Sequence, residues 1–334
     1  MPTFILGAGF NADATAEAGP IFGESLYLGR YQIERSYPLV ADTVHLCFRL
    51  DRIPDGKSIE DLFSDALESG DYKPLRELAN RLREADFRIA SRIASDETPN
   101  CYRRFFEAFA GSNFLTFNYD SLPEILLFRL GRWYPHDGYG LPVAAHTPPG
   151  AGEFADKKSS TLVLHLHGSL CIRTLEYEAR RASGQTMAML TKRDEPLYTF
   201  APSSISANFT PFVHDAGADD VEDRIIAPVP DKSQGLTQQA FIRDTYTKAV
   251  ALVRGSDILV AIGYSFNPHD RASYQPLLHA LRESKDRRLL VVSPQAGSIA
   301  NAIRPDFPSL SIEPQEATFK QWAAASFPGL GPDG

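Results

Sequence analysis

The chain has 334 residues, of which 43% are hydrophobic and 23% charged, so it carries enough apolar material to bury a core. Its 34 basic and 42 acidic residues give a net charge of −8, which excludes the basic footprint expected where the main ligand is a nucleic-acid backbone. At about 100–200 residues per domain, the length fits one large domain with insertions or two smaller domains.

The cysteines and the N-terminal segment bear on the cellular compartment. Cys47, Cys101 and Cys171 are isolated, and their odd number suits neither a disulfide framework nor a four-cysteine zinc site. No basic residue precedes the short apolar stretch 3–7, and no stretch stays apolar for the roughly 18 residues that a membrane span needs. We therefore expect a cytoplasmic protein with reduced thiols and no membrane partner.

Six short runs of aliphatic and β-branched residues alternate with segments of helical periodicity. This alternation is what a parallel sheet covered by helices on both faces requires. The runs are Thr3–Leu6, Phe114–Phe117, Leu162–Leu166, Ile258–Ile262, Leu289–Val292 and the weaker Leu310–Ile312. The sequence therefore predicts an α/β fold built on a Rossmann-like six-stranded parallel sheet.

The interval between the first two runs is too long for one crossover and carries three helical patterns. Ser58 and Asp61 form the pattern of a capping box, and apolar residues within 59–67 follow at the spacing of one helical face. A second helix is predicted over 75–89 and a third over 102–109.

We interpret these helices as an insertion in a single domain that covers residues 1–334. The helical subdomain occupies residues 22–110, and the Rossmann-like part comprises residues 1–21 and 111–330. The alternative is that the helices simply cover the sheet.

Two later stretches, 134–160 and 173–224, are rich in Gly, Pro, Asp and Ser and lack sustained periodicity. This composition predicts long loops above the strand ends. Because long loops in compact domains often act as lids or binding surfaces, we expect these two to gate the site.

A glycine turn follows the first predicted strand at once. Its residues are Gly7-Ala8-Gly9-Phe10-Asn11-Ala12. Such a turn lets backbone N–H groups approach a phosphate at a helix N-terminus. A dehydrogenase would also need a second strand ending in an acidic residue about 20 positions on, and 19–35 offers no clear strand. A phosphate cradle and a plain glycine turn both remain open.

Glycine and residues with polar side chains follow the later strands as well. They are Thr116, Asn118 and Asp120 after the second run, Gly263, Tyr264 and Ser265 after the fourth, and Ser293 after the fifth. Open parallel sheets bind ligands outside the carboxyl ends of their strands, so these residues favour a shared crevice. Taken alone, Asn118 and Asp120 are equally explained as turn and N-cap residues.

The third run contains His165 and His167, which lie on one side of an extended strand. Such a pair can ligate a metal, but no further ligand is paired with it by recognisable spacing. His167 precedes Gly168 at the strand end and is the better candidate for acid or base chemistry near neutral pH. We interpret His165 as a packed, supporting residue, and a metal-dependent hydrolase built on both histidines stays an alternative.

Taken in chain order, these motifs resemble the motif series of the sirtuin-like domain family, in particular its prokaryotic antiviral-defence branch that hydrolyses NAD. The matching motifs are Gly7-Ala8-Gly9-Phe10, Thr116-Phe117-Asn118-Tyr119-Asp120, Leu166-His167-Gly168-Ser169, Ile262-Gly263-Tyr264-Ser265 with Asp270, and Val292-Ser293-Pro294. A further segment, from Arg224-Ile225-Ile226-Ala227-Pro228 through Lys232, also resembles that branch. The resemblance covers essentially the whole chain.

The resemblance implies that NAD is bound as a substrate and that nicotinamide is cleaved from its ribose. It implies that His167 is the catalytic base, that Asn118 orients the nicotinamide ribose or the attacking water, and that Asp120 supports this end of the site. The implied diphosphate cradle is Gly7, Ala8, Gly9 and Phe10, and the implied adenosine side is Gly263, Ser265 and Ser293. Further implied NAD-binding positions are Asn11, Thr116, Gly168 and Tyr264.

The sequence also departs from the family pattern. Deacylases of the family carry two Cys-x-x-Cys pairs after the His-Gly motif, and here only Cys171 lies in that region. Protein deacylation is therefore disfavoured, and no metal is expected. Asn11 stands where the family often has serine, and Ser293 stands where it often has asparagine.

The expected function is therefore an NAD hydrolase that yields nicotinamide and ADP-ribose, and the resemblance implies an NAD-depleting effector of bacterial anti-phage defence. Such effectors are held silent in a homo-oligomer or by a defence partner of the ATPase or short argonaute type. The alternative from another class is a regulatory module that binds NAD or ADP-ribose without cleaving it.

Overall fold

A computed structural model describes most of the chain. The described residues are 1–11, 47–50, 53–78, 100–145, 156–169, 171–180, 189–200 and 239–330, with the single residues 226, 229, 232 and 236.

The described part of the chain alternates strands and helices. The strands are β1 (Thr3–Leu6), β2 (Asn113–Thr116), β3 (Val143–Ala145), β4 (Val163–His165), β5 (Ile172–Arg180), β6 (Met189–Phe200), β7 (Ile258–Ile262), β8 (Arg288–Val292) and β9 (Ser311–Gln315). The helices are α1 (Ile59–Glu68), α2 (Asn100–Ala108), α3 (Leu122–Arg129), α4 (Ala240–Arg254), α5 (Arg271–Arg282), α6 (Ala296–Ile303) and α7 (Phe319–Ala324). A short 3-10 turn, Pro268–Asp270, leads into α5.

Six strands form one parallel sheet in the order β4-β2-β1-β7-β8-β9. All six predicted strands are present, with ends within a few residues of the predicted ones, and the predicted Rossmann-like α/β fold is confirmed. From β1 the chain adds β2 and β4 on one side and then returns to add β7, β8 and β9 on the other. The strand order therefore reverses between β1 and β7, and open α/β sheets bind their ligands at such a switch point.

Alternate residues of the central strand enter cores on opposite faces of the sheet. Phe4 contacts Phe105 of α2, with ring centroids 5.0 Å apart, and stacks on Phe114 of β2 at 5.3 Å. Its neighbour Ile5 belongs to the other core, together with residues of α5 such as Leu277. Helices on both faces thus hold the sheet edge that carries the polar loops.

The helix α1 begins at the predicted capping box. The Ser58 hydroxyl accepts from the Asp61 N–H at 3.1 Å, and the Asp61 carboxylate accepts from the Ser58 N–H at 2.7 Å. Its buried Phe63 packs with Leu75 and Leu78 in a small cluster of their own, which also contacts Tyr119 from the loop after β2. The helix α1 therefore lies over one of the polar strand ends.

The other two predicted helices have different outcomes. The third is α2, and its aromatic residues pack directly on the sheet, as the contact of Phe105 with Phe4 shows. For the second, residues 73–78 are helical and the remainder lies outside the described residues. The division of the chain at residues 22 and 110 stays a prediction.

A second, three-stranded sheet corrects the prediction of long loops. β3 lies within 134–160, β6 lies within 173–224, and β5 lies there except for its first residue, Ile172. β6 pairs in parallel with β3 and antiparallel with β5, in the order β3-β6-β5. The sequences of β5 and β6 contain many charged residues in place of aliphatic runs, and β3 has only three residues, so a search for aliphatic runs misses all three strands.

The longest described helix, α4, has 15 residues, and no described helix has both the length and the hydropathy for a bilayer crossing.

Candidate functional site

The loops after β1 and β7 touch through their glycines. The Gly7 N–H donates to the Ile262 carbonyl oxygen at 3.0 Å, and the Gly9 N–H donates to the Gly263 oxygen at 2.9 Å. A Cβ on Gly263 would lie 2.2 Å from the Phe10 nitrogen. Gly263 has a φ of +61°, a backbone conformation that residues with a side chain rarely adopt. This close approach explains the glycines without a ligand and fixes the two loops at the switch point.

The predicted phosphate cradle is only partly open. The N–H groups of Gly7 and Gly9 donate across the loop contact, and the Phe10 N–H donates to the Gly7 oxygen at 2.9 Å. The side chain of Phe10 is fully buried in the core against Tyr102 and Phe319. Ala8 and Gly9 are the residues of this turn that face solvent, at the start of the helical residues 8–11.

Asn118 joins the loop after β2 to the loop after β1. Its side-chain Nδ2 donates to the Gly7 carbonyl oxygen at 3.0 Å, and its backbone N–H donates to the hydroxyl of buried Thr116 at 3.0 Å. Its own carbonyl oxygen lies 3.1 Å from His165 Nδ1. The half-buried Asn118 is therefore held from three directions at the carboxyl edge of the sheet.

Asp120 connects the same loop to two helices. Its carboxylate accepts from the Leu122 N–H of α3 at 3.1 Å and from the side chain of Asn11. Burial raises the pKa of this carboxyl group, the Leu122 N–H opposes the rise, and the neighbouring Glu124 adds to it. Asp120 thus acts in the described structure as a helix-capping link between the predicted site residues Asn11 and Asn118.

His165 forms a buried ion pair beneath Asn118. Both His165 and Glu124 of α3 are 0% exposed, and His165 Nε2 lies 2.5 Å from Glu124 Oε1. Burial disfavours the charged imidazolium, yet Glu124, Asp120 and the Asn118 carbonyl together raise the pKa of His165. With an acceptor at each ring nitrogen, His165 donates from both and supports the Asn118 loop.

His167 lies at the end of the adjacent strand and has different surroundings. It is 5% exposed, its ring meets the edge of Phe117 at 4.8 Å, and its backbone turns into Gly168 at φ +89°. Its Nε2 lies 3.3 Å from the Ser273 hydroxyl and 3.9 Å from Asp270 Oδ1.

The charge state of His167 follows from those surroundings. Burial lowers its pKa to about 3; the Asp270 carboxylate acts against the fall, and the Lys232 ammonium adds to it. The imidazole is therefore neutral at pH 7, the form that can accept a proton.

The remaining predicted residues lie along the other half of the edge. Tyr264 is buried and stacks on Phe117 at 4.2 Å, whereas Ser265 is exposed. Ser293 follows β8, and its hydroxyl accepts from the Gln295 N–H at 3.2 Å. The structure thus joins the loops after β1, β2, β4 and β7 by direct contacts, with Ser293 one strand further along the sheet.

Glu124 and Ser273 have no role in the sequence analysis, and Lys232 appears there only at the end of a segment that resembles the family. Glu124 carries a detectable signal, because it is a carboxylate among the apolar residues that precede Arg129 in α3, and a buried carboxylate needs a partner. No spacing in the sequence links Lys232 or Ser273 to His167. The tertiary fold brings Ser273 and the Lys232–Asp270 pair to this histidine.

The described residues contain no group of three or more His, Cys, Asp or Glu side chains that could hold a metal ion. His165 is turned to Glu124 and His167 to Ser273, so the two ring systems do not converge on one point through their Nε2 atoms.

Comparison with known proteins finds matches among solved structures. No protein-family model and no curated protein matches the chain. Among solved structures, one match is a Sir2 homologue with three substitutions, in complex with 2′-O-acetyl ADP ribose. The two are 15% identical with a TM-score of 0.38, over 99% of this chain and 94% of that chain. The function proposed below therefore rests on the chain's own motifs and geometry.

Proposed function

We propose that this protein hydrolyses NAD to nicotinamide and ADP-ribose. The observation that carries the proposal is a buried imidazole, His167, which lies 3.3 Å from the Ser273 hydroxyl at one strand end, next to a strand whose loop holds the anchored amide of Asn118. Both lie at the edge where the strand order reverses, and ligands bind at this edge in open α/β sheets.

The reaction needs a base and fixed polar groups near the ribose. Water attacks the ribose C1′, the C–N bond breaks, nicotinamide leaves with the bonding electron pair, and one proton is released. His167 accepts the water proton, since it is neutral at pH 7. Positive charge develops on the ribose ring in the transition state, and the preorganised dipoles around Asn118 stabilise it.

The nucleotide lies along the carboxyl edge in this proposal. Its diphosphate meets the turn at Ala8 and Gly9, where the residues face solvent at a helix start. Its adenosine half extends toward exposed Ser265 and half-buried Ser293. No metal takes part, and the protein acts as an NAD glycohydrolase and not as a deacylase.

Chromatographic measurement of nicotinamide release from NAD tests the proposal. We compare the wild type with His167→Ala and with His279→Ala, an exposed histidine of α5 that serves as the matched control. We expect release by the wild type and the control, and a loss of about 10²–10⁴-fold in His167→Ala. Equal release by His167→Ala would contradict the role of the base.

One observation favours a second candidate, the module that binds NAD or ADP-ribose without cleavage. His167 is only 5% exposed and its Nε2 is turned to Ser273 and Asp270. Thermal stabilisation by ADP-ribose measured on the same samples separates the two functions. Stabilisation without nicotinamide release, in the purified protein and in phage-infected cells alike, would support the binding module and overturn the hydrolase.

From the motif resemblance we also propose the biological setting. The protein is an NAD-depleting effector of bacterial anti-phage defence, cytoplasmic, and silent in a homo-oligomer or with an ATPase or short argonaute partner. Expression in bacteria challenged with phage tests this role: cellular NAD should fall on infection in cells with the wild type and stay constant with His167→Ala. Constant NAD in both would refute the defence role.

A further inference from the structure

A buried ion pair lies against His167 and has no part in the function proposed above. The Lys232 Nζ donates to Asp270 Oδ1, and each of the two residues is 7% exposed. The same oxygen, Asp270 Oδ1, is the one that lies 3.9 Å from His167 Nε2. One carboxylate oxygen thus stands between an ammonium group and an imidazole.

The Asp270 carboxylate and the Lys232 ammonium have opposite effects on the pKa of His167. A carboxylate beside an imidazole stabilises the protonated form, whereas an ammonium group disfavours it. Because Lys232 contacts Asp270 directly, it offsets part of the charge that acts on His167. Burial makes both influences stronger than they would be in water.

We propose that Lys232 is a positioning residue that pairs with the Asp270 carboxylate and so lowers the proton affinity of the base. The assignment of His167 as a base rests on the proposed function, whereas the influence of Lys232 on His167 does not. Loss of the Lys232 charge frees Asp270 to pair with the imidazolium.

Among the described residues, the other polar groups around His167 do not titrate in the same range. Ser273 of α5 is a hydroxyl, and Tyr119, from the loop after β2, is a phenol whose ring lies 6.5 Å away. Burial raises the pKa of Tyr246 of α4, which lies beside Ser273. Phenols titrate near pH 10, so Asp270 and Lys232 are the described charged groups next to His167 that can change its protonation below pH 8.

The test is an NMR titration of the His167 ring in the absence of NAD, with the signal assigned by its loss in His167→Ala. The variants are Lys232→Met, Lys232→Arg, and the double variant Lys232→Met/Asp270→Asn, which removes both charges together. Lys248→Met changes an exposed lysine of α4 and controls for the loss of one positive charge elsewhere.

We expect the titration midpoint of His167 to rise by about 1 unit or more in Lys232→Met. Lys232→Arg and Lys248→Met should keep the wild-type midpoint, and the double variant should lose the rise. A ring signal in Lys232→Met that titrates no higher than that of the wild type would overturn the proposal.

Two further measurements keep the proposal falsifiable. If Lys232→Met does not fold, the double variant and Lys232→Arg are titrated in its place. A midpoint of His167 in Lys232→Arg that lies above the wild-type midpoint would overturn the role of charge. If NAD cleavage is observed, the acid limb of its pH profile should move with the NMR midpoint. A shifted midpoint with no cleavage, in the purified protein and in phage-infected cells alike, would refute the hydrolase and leave the role of Lys232 supported.

Discussion

Asn118 shows how single contacts place a candidate functional group. Its side-chain amide donates to the Gly7 carbonyl oxygen, and its own backbone carbonyl oxygen accepts a hydrogen bond from His165. The His165 imidazolium is held in turn by Glu124, which is fully buried. A buried charge of this kind persists only when its partner is present, so the position of Asn118 depends on Glu124.

We therefore predict that Glu124→Gln lowers the free energy of unfolding by about 3–5 kcal/mol, because it leaves the buried imidazolium of His165 without its counter-charge. Urea denaturation at pH 7 measures the loss. The matched control is Glu283→Gln, which breaks an exposed pair with Arg254 and should change stability little. Equal losses in the two variants would show that His165 does not depend on a buried charge.

At the scale of elements, the contact between the loops after β1 and β7 determines the shape of the crevice. Gly263→Ala places a Cβ 2.2 Å from the Phe10 nitrogen on a residue with φ +61°. We predict a loss of about 2–4 kcal/mol in unfolding free energy together with loss of stabilisation by ADP-ribose.

Calorimetry with and without ADP-ribose measures both effects. Gly255→Ala is the control, since this glycine ends α4 at φ −88° and its added Cβ would have no contact closer than 3.7 Å. If Gly263→Ala is as stable as the wild type, the loops after β1 and β7 are not in contact in solution.

The helix α1 offers a second prediction at this scale. Ser58→Ala removes the capping-box hydroxyl and should cost about 0.5–2 kcal/mol. Hydrogen exchange should show the loss within α1, which packs on Tyr119 near the site. Ser64→Ala, within the same helix, should not reduce protection; an equal effect of the two variants would argue against the cap.

The elements also show which features a sequence can predict. Aliphatic runs identify the inner strands of the parallel sheet, because strands buried on both faces need such runs, and the partly exposed edge strand β9 has the weakest run. The pair β5 and β6 carries charged residues on a three-stranded sheet, and its pattern resembles that of a loop. The strand-end position of His167 can be predicted in the same way, whereas its contacts with Ser273 and Asp270 depend on residues far apart in the chain.

At the scale of the whole molecule, topology brings the candidate site together. Residues from the first strand to the seventh meet at one edge because β1 and β7 are neighbours in the sheet. This edge contains two buried histidines whose pKa values shift in opposite directions, upward for His165 beneath the loops and downward for His167. Their opposite shifts give the molecule a defined dependence of stability on pH.

We predict that the free energy of unfolding falls as the pH falls from 6.5, and that His167 causes part of the fall. Its pKa is 6.5 in the unfolded chain and about 3 in the folded protein, so below pH 6.5 the unfolded state binds one more proton. Between pH 6.5 and 5 this single difference amounts to roughly 1.5 kcal/mol. Urea denaturation at several pH values measures the slope.

His165 does not act in this window. Its pKa is raised in the folded protein, so both states are protonated below pH 6.5, and its stabilising effect is lost only as the pH rises through the folded value. The His167→Ala variant should therefore show a flatter slope between pH 5 and 6.5, whereas His279→Ala should keep the wild-type slope. Because slopes are compared, the cavity left by the ring does not affect the result. An unchanged slope in His167→Ala would mean that His167 is protonated in the folded protein, and its role as a neutral base would fail with it.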